Sequence, residues 1–62
     1  MKTSEAAEHF GGMKALAEAV SLSQQAVHKW GDYPPDARQF QLQEITDGEL
    51  TAEPSWQRDD AA

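Results

Sequence analysis

The chain contains no cysteine. A disulfide framework and a thiolate metal site are therefore both excluded, and a reducing cytoplasm is the natural compartment. The two histidines, His9 and His28, stand 19 positions apart with no thiol between them, so no zinc site is expected. No apolar run approaches the length of a membrane span, and Lys2 is not followed by a hydrophobic stretch, so neither a membrane helix nor a signal peptide is expected. There is no catalytic dyad with an orienting third group, no glycine-rich phosphate loop and no metal set. The reading is of a protein that is not an enzyme, with no catalytic residues, no cofactor, no metal and no small-molecule ligand. Positive charge is also scarce. Five Lys and Arg against 11 Asp and Glu leave a net charge of −6, which argues against a protein whose affinity comes from blanketing phosphates.

What is present is concentrated in residues 13–30. Leu16, Ala17 and Val20 fall on one face of a first helical pattern, and Val27 and Trp30 on one face of a second. The break between them is too tight to be a linker. Ser21 and Leu22 turn the chain, and Ser23 is placed to cap the second helix by accepting a backbone N–H bond from its first turn. Ala17 stands where the two helices cross closely, and Leu22 plugs the corner. The second helix leaves Gln24, Gln25, His28 and Lys29 facing solvent, a set of amide and cationic donors with no carboxylate among them. This is the pattern of a helix-turn-helix whose second helix enters the DNA major groove.

The remaining elements follow from capping and periodicity. Thr3 or Ser4 is expected to cap a first helix reaching about His9, with Glu5 near its positive end and Ala6 and Phe10 facing the core. Gly11-Gly12 ends that helix and reverses the backbone. The second helix is expected over about residues 13–20 and the third over 24–30. Gly31 to Pro34 form a turn, with Tyr33 extended before proline. Pro35 suits the first position of a fourth helix that runs to about Thr46, burying Ala37, Phe40, Leu42 or Gln41, and Ile45, and ending at Asp47-Gly48. Past it, Leu50 and Trp56 are the only large apolar side chains, and Pro54 can begin a single helical turn.

The chain resembles the Cro-family repressors of lambdoid phages and their prophage relatives. The likeness covers nearly the whole sequence: the opening Met-Lys-Thr…His-Phe-Gly-Gly, the skeleton Ala17, Val20, Leu22, Val27 and Trp30, the Trp-Gly-Asp/Pro-Pro exit, and the run Gln-Leu-Gln-Glu-Ile-Thr-Asp-Gly. One departure is Ser21, which occupies the family's usual turn glycine. The resemblance implies operator binding as a homodimer and repression by occluding a promoter, in the cytoplasm of a bacterial host. It also implies one of two C-terminal forms, all-helical or ending in a hairpin. A hairpin here would pair residues 50–52 with 55–57, three residues a side and poor in β-branched side chains. The expectation is a mainly α domain of four to five short helices, with α+β as the alternative. Residues 1–57 form this domain, and residues 58–62 are expected to be a disordered acidic tail.

Charge distribution answers the objection raised by its total. Up to Gln43, five acids face four cations for a net −1; from Glu44 onward, six acids face Arg58 alone for a net −5. The stretch between Ala19 and Gly31 holds no acid. Group chemistry then distributes the roles. Backbone N–H groups of Gly12 and Met13, with Ser23, Lys14 and Arg38, are expected to grip phosphates and set register. Gln24 and Gln25 can pair with adenine N6/N7, Lys29 can reach guanine O6/N7, and His28 can donate to a purine or a phosphate. One such helix reads too few base pairs to select an operator, so two copies on a palindrome are needed. Trp56 is either a lid on its own monomer or the candidate for that weak homodimer contact. The competing reading is a helix-turn-helix interaction module, antitoxin-like or anti-repressor, that uses its acidic surface.

Overall fold

Glycine and serine punctuation divides the first half of the chain into three short helices. The computed structural model describes residues 1–58 and contains four α-helices, with no strand among those residues. They are α1 (Thr3–Phe10), α2 (Met13–Ala19), α3 (Gln24–His28) and α4 (Asp36–Ile45), followed by one 3-10 turn, Ser55–Gln57. The all-helical expectation holds. Gly11 ends α1 with a left-handed φ of 96°, a conformation glycine adopts without steric cost. The start of α1 differs from expectation. Lys2, not Thr3 or Ser4, is the cap residue, and its N–H donates to the Glu5 carboxylate at 2.7 Å. Thr3 is instead the first helical residue and is buried.

α2 packs on α1 and on α3. Leu16, Ala17, Val20 and Val27 are buried together with Ala6, Leu42, Leu50 and Met1, while Phe10, Met13, Leu22 and Trp30 pack partly buried around them. Ala17 and Leu22 thus occupy the crossing and the corner that their spacing indicates. Ser23 caps α3, its hydroxyl oxygen accepting from the Ala26 N–H at 3.1 Å. Beyond His28 the chain makes one further turn, closed by the Trp30 N–H on the Val27 carbonyl at 3.0 Å.

α4 is rotated from the expected phase. Phe40 and Ile45 are 44% and 47% exposed, Ala37 is exposed, and Leu42 alone of the expected apolar set is buried. The inward row is instead Asp36, Gln39, Gln43 and Thr46, at spacings of three, four and three, which place them along one helix face. Each supplies a side-chain oxygen to a backbone N–H of the segment that returns along the helix. Thr46 accepts from Leu50 at 3.1 Å, Gln43 from Ala52 at 2.8 Å, Gln39 from Glu53 at 3.1 Å and Asp36 from Ser55 at 2.8 Å. The segment is therefore an antiparallel strap whose amides are satisfied by a helix rather than by a second strand.

Gln39 is fully buried and is the centre of this row. Its Oε1 also accepts from the Met1 ammonium at 2.8 Å, and its Nε2 donates to the Met1 carbonyl at 2.9 Å and the Pro34 carbonyl at 3.3 Å. The ammonium donates further to the Thr51 carbonyl at 2.9 Å and pairs with Glu53 at 3.0 Å. One amide side chain thus joins the first residue, the α3–α4 loop and the strap. Arg58, expected to lie in the tail, is held as well: it donates to the Glu53 carbonyl at 2.7 Å and lies 4.2 Å from the Tyr33 ring centroid. The rest of the expected tail, residues 59–62, lies outside the described residues.

Ser21 adopts φ 59°, the left-handed conformation in which a residue bearing a Cβ is strained. Ser21→Gly relieves a cost of about 1 kcal/mol and restores some unfolded-state entropy, so chemical denaturation should show a net gain of several tenths of a kcal/mol. A loss of stability in that variant would mean that the serine makes a compensating interaction in the turn.

Candidate nucleic-acid interface

The exposed face of α3 carries Gln24, Gln25 and His28, with Lys29 immediately after the helix. Val27 on the opposite side is fully buried and holds the helix against α2. Gln24 and His28 are neighbours at i, i+4, as are Gln25 and Lys29, so the face presents two adjacent polar pairs. No carboxylate interrupts it. The α3 serine cap leaves the Ser23 hydroxyl proton available to a phosphate, because the oxygen acts as the acceptor within the helix.

The expected phosphate contacts divide. Met13 and Lys14 begin α2, and Lys14 is exposed. The Gly12 N–H is not available as expected, since it donates to the Ala7 carbonyl at 2.8 Å in closing α1. Arg38 lies on α4, half-buried, with its guanidinium donating to Gln41 Oε1 at 2.6 Å. That bond uses one donor of five.

A cleft of about 680 Å³ opens beside α3, where the starts of α1 and α2 meet the end of α3. His28 and Met13 line it together with Lys2, Ser4 and Tyr33. His28 therefore sits at the edge of the exposed α3 face, where it lines the cleft, while Gln25 and Lys29 are not among the lining residues. Sequence reasoning missed Lys2 and Tyr33. No local motif signals either one, because the helix starts meet only once the α3–α4 loop is pinned by the Thr3 N–H on the Asp32 carbonyl at 2.9 Å.

Trp56 is 67% exposed and stacks on Phe40 with ring centroids 5.9 Å apart and planes at 27°. It is not a lid inserted into its own core. Phe40 was another miss, and its signal was present. Residues 36, 39, 43 and 46 form a cleaner helical stripe than the apolar set 37, 40, 42 and 45, but the stripe is polar. The platform depends on Asp36, which accepts from both the Ser55 amide and the Ser55 hydroxyl at 2.8 Å and so anchors the turn carrying Trp56.

A helix-turn-helix with a donor-rich, acid-free second helix defines a DNA-binding domain. The comparison with known proteins agrees. The family described as "DNA-binding transcriptional regulator Cro" matches residues 2–61, and the chain belongs to that family. The chain is also similar to the regulatory protein Cro of Salmonella phage P22, with 35% identity over 43 residues, or 69% of this chain and 70% of that one. No solved structure matches the chain. Among the described residues no helix is long and apolar enough to cross a membrane.

The two Ser55 hydrogen bonds, hydroxyl first, and then the Arg58 charge hold the Asp36 carboxyl below its ordinary value of 3.8. A depressed carboxylate stabilises the clip at any pH above the unfolded-state pKa and loses it as pH falls through the folded one. Acid titration of Trp56 fluorescence in a Trp30→Phe background should therefore show a step below the ordinary carboxylate range. Asp36→Asn should remove the step. An unchanged step would assign the transition to other carboxylates.

Proposed function

We propose that the protein is a transcriptional repressor that binds palindromic operator DNA as a homodimer in the cytoplasm of a bacterial host. α3 and its flanks, residues 23–30, enter the major groove. The observation that carries this reading is the α3 face: four donor-bearing side chains, Gln24, Gln25, His28 and Lys29, exposed together without a carboxylate on a helix held rigidly from behind by Val27. Met13, Lys14, Ser23 and Arg38 contact phosphates and set register, and Gln24, Gln25 and Lys29 read base edges. His28 reaches a purine or a phosphate from the edge of the face. Occupying a promoter in this way excludes polymerase without any catalytic step. A domain with few cations gains little from phosphates, so a larger share of its discrimination falls to base contacts.

The second copy docks on Phe40 and Trp56. Two stacked, exposed rings form an apolar surface that a symmetric partner can cover with the same residues. The patch is small, so the dimer is weak, with a Kd in the micromolar range or above. The two α3 helices then fall about one DNA turn apart, roughly 34 Å, on successive major grooves.

Titrating the protein into its own upstream promoter DNA at low salt, followed by fluorescence anisotropy, tests the recognition reading. Gln25→Ala and Lys29→Ala should each cost about 1–3 kcal/mol on the operator and relax preference at one symmetric pair of positions. Lys14→Ala should weaken all sequences alike and lower the salt slope by about one. A Gln25→Ala variant with unaltered operator and random-DNA affinity would sink direct readout by α3. A flat response of the intact protein, with a basic protein partner bound instead, would favour the interaction-module reading.

Assembly is tested separately. Trp56→Ala and Phe40→Ala should lower operator affinity and make binding more steeply dependent on protein concentration, while circular dichroism and thermal unfolding change little. Sedimentation at high concentration should show the loss of dimer directly. A dimer that persists in both variants would place the contact elsewhere.

A further inference from the structure

We propose that the cleft between the start of α1 and the end of α3 seats a DNA backbone phosphate, with Lys2 as its cationic ligand and Asp32 as an opposing charge that limits its affinity. The inference rests on the DNA-binding reading above and adds a contact that lies outside the helix-turn-helix. The cleft, of about 680 Å³, adjoins the reading face through His28, so a duplex lying along α3 brings its backbone past the cleft mouth. Residues that carry donor groups line it from separate elements: Lys2 and Ser4, both exposed, His28 of α3 and Tyr33 of the following loop.

Two further features point to an anionic occupant. The first-turn amide of α1 at Ser4 has no intrahelical acceptor, because the first helical bond runs from the Ala6 N–H to the Lys2 carbonyl at 3.1 Å. Thr3, which lines the cleft, is only 7% exposed, and its hydroxyl has no partner among the described residues. That hydroxyl is closed off from solvent in the free protein, so it donates to a phosphate oxygen only when binding opens the cleft wall, and then at no cost to an existing bond.

Two carboxylates oppose the anion. Glu5 is engaged at the cap, accepting from the Lys2 N–H at 2.7 Å, and lies outside the cleft lining. Asp32 lines the cleft, and its side chain is exposed. Only its backbone carbonyl is used structurally, for the Thr3 N–H. Its charge can therefore be removed without disturbing the loop, and the removal should strengthen binding. A gain of affinity is an outcome that damage to the fold cannot imitate.

The test uses the full chain and a short mixed-sequence duplex at low salt, with amide chemical shifts and anisotropy as readouts. Lys2→Ala should weaken duplex binding several-fold, equally for all sequences, and flatten the salt slope by about 0.9. Lys2→Arg should restore most of it, and Asp32→Asn should tighten binding several-fold. The amides of Ser4 and Tyr33 should shift along with those of α3. If the duplex shifts α3 while the cleft amides stay still and Lys2→Ala binds like the wild type, the cleft assignment is overturned and the α3 reading stands. If the duplex shifts no amide at all, both readings fall together. Inorganic phosphate is titrated alone in parallel. Saturable cleft shifts with phosphate, matched by none with duplex, would make this a free-anion site and overturn its assignment to DNA.

Discussion

The row of side-chain oxygens along α4 is the constraint on which the rest of the molecule depends. An extended segment lying beside a helix has backbone amides with no ladder to join, and one left unpaired where it is buried would cost about 1–3 kcal/mol. Thr46, Gln43, Gln39 and Asp36 meet four such amides in order, from Leu50 to Ser55. Because these four residues own the inward face, the apolar residues of α4 lie on its flanks. Leu42 on one flank completes the core, and Phe40 on the other meets solvent and Trp56. The exposed aromatic platform is thus a consequence of the polar clamp.

The loop between α3 and α4 links the cleft beside α3 to the strap along α4. The Asp32 carbonyl accepts from Thr3, the Pro34 carbonyl accepts from Gln39, and the Tyr33 ring lies beneath the Arg58 guanidinium. The same few residues therefore border the cleft beside α3 on one side and fasten the strap on the other. A change that frees the strap removes a tether from the loop that follows α3. The first residue contributes to this economy: Met1 is buried with its ammonium satisfied by Gln39, Thr51 and Glu53, which ties it to the strap in a chain that has no cysteine to form a disulfide staple.

The helix-turn-helix was legible because its signals are local. The apolar spacing of Leu16, Val20 and Val27, the small Ala17, the corner Leu22 and the cap Ser23 each depend on neighbours within a few residues, and each holds in the structure. The donor-rich face of α3 was readable for the same reason: an exposed face is what remains once the buried one is known. The phase of α4 was misread because hydrophobic periodicity assumes that the buried side of a helix is apolar. Gln39 breaks that assumption, since its partners come from Met1, Pro34 and Glu53.

Local sequence alone determined the helix-turn-helix and the exposed, acid-free donor face of α3, whereas the left-handed Ser21 in its turn was shown by the structure. Only the tertiary structure decided how residues 50–58 run, which side of Phe40 and Trp56 meets solvent, and that Lys2 and Tyr33 border the cleft beside His28. The reason is the range of the interactions. Capping and helical periodicity act over three or four residues, whereas the strap's amides are satisfied by oxygens up to 19 residues away and the first residue by a side chain 38 away. Which distant acceptor meets which donor emerges only when the whole chain has closed on itself.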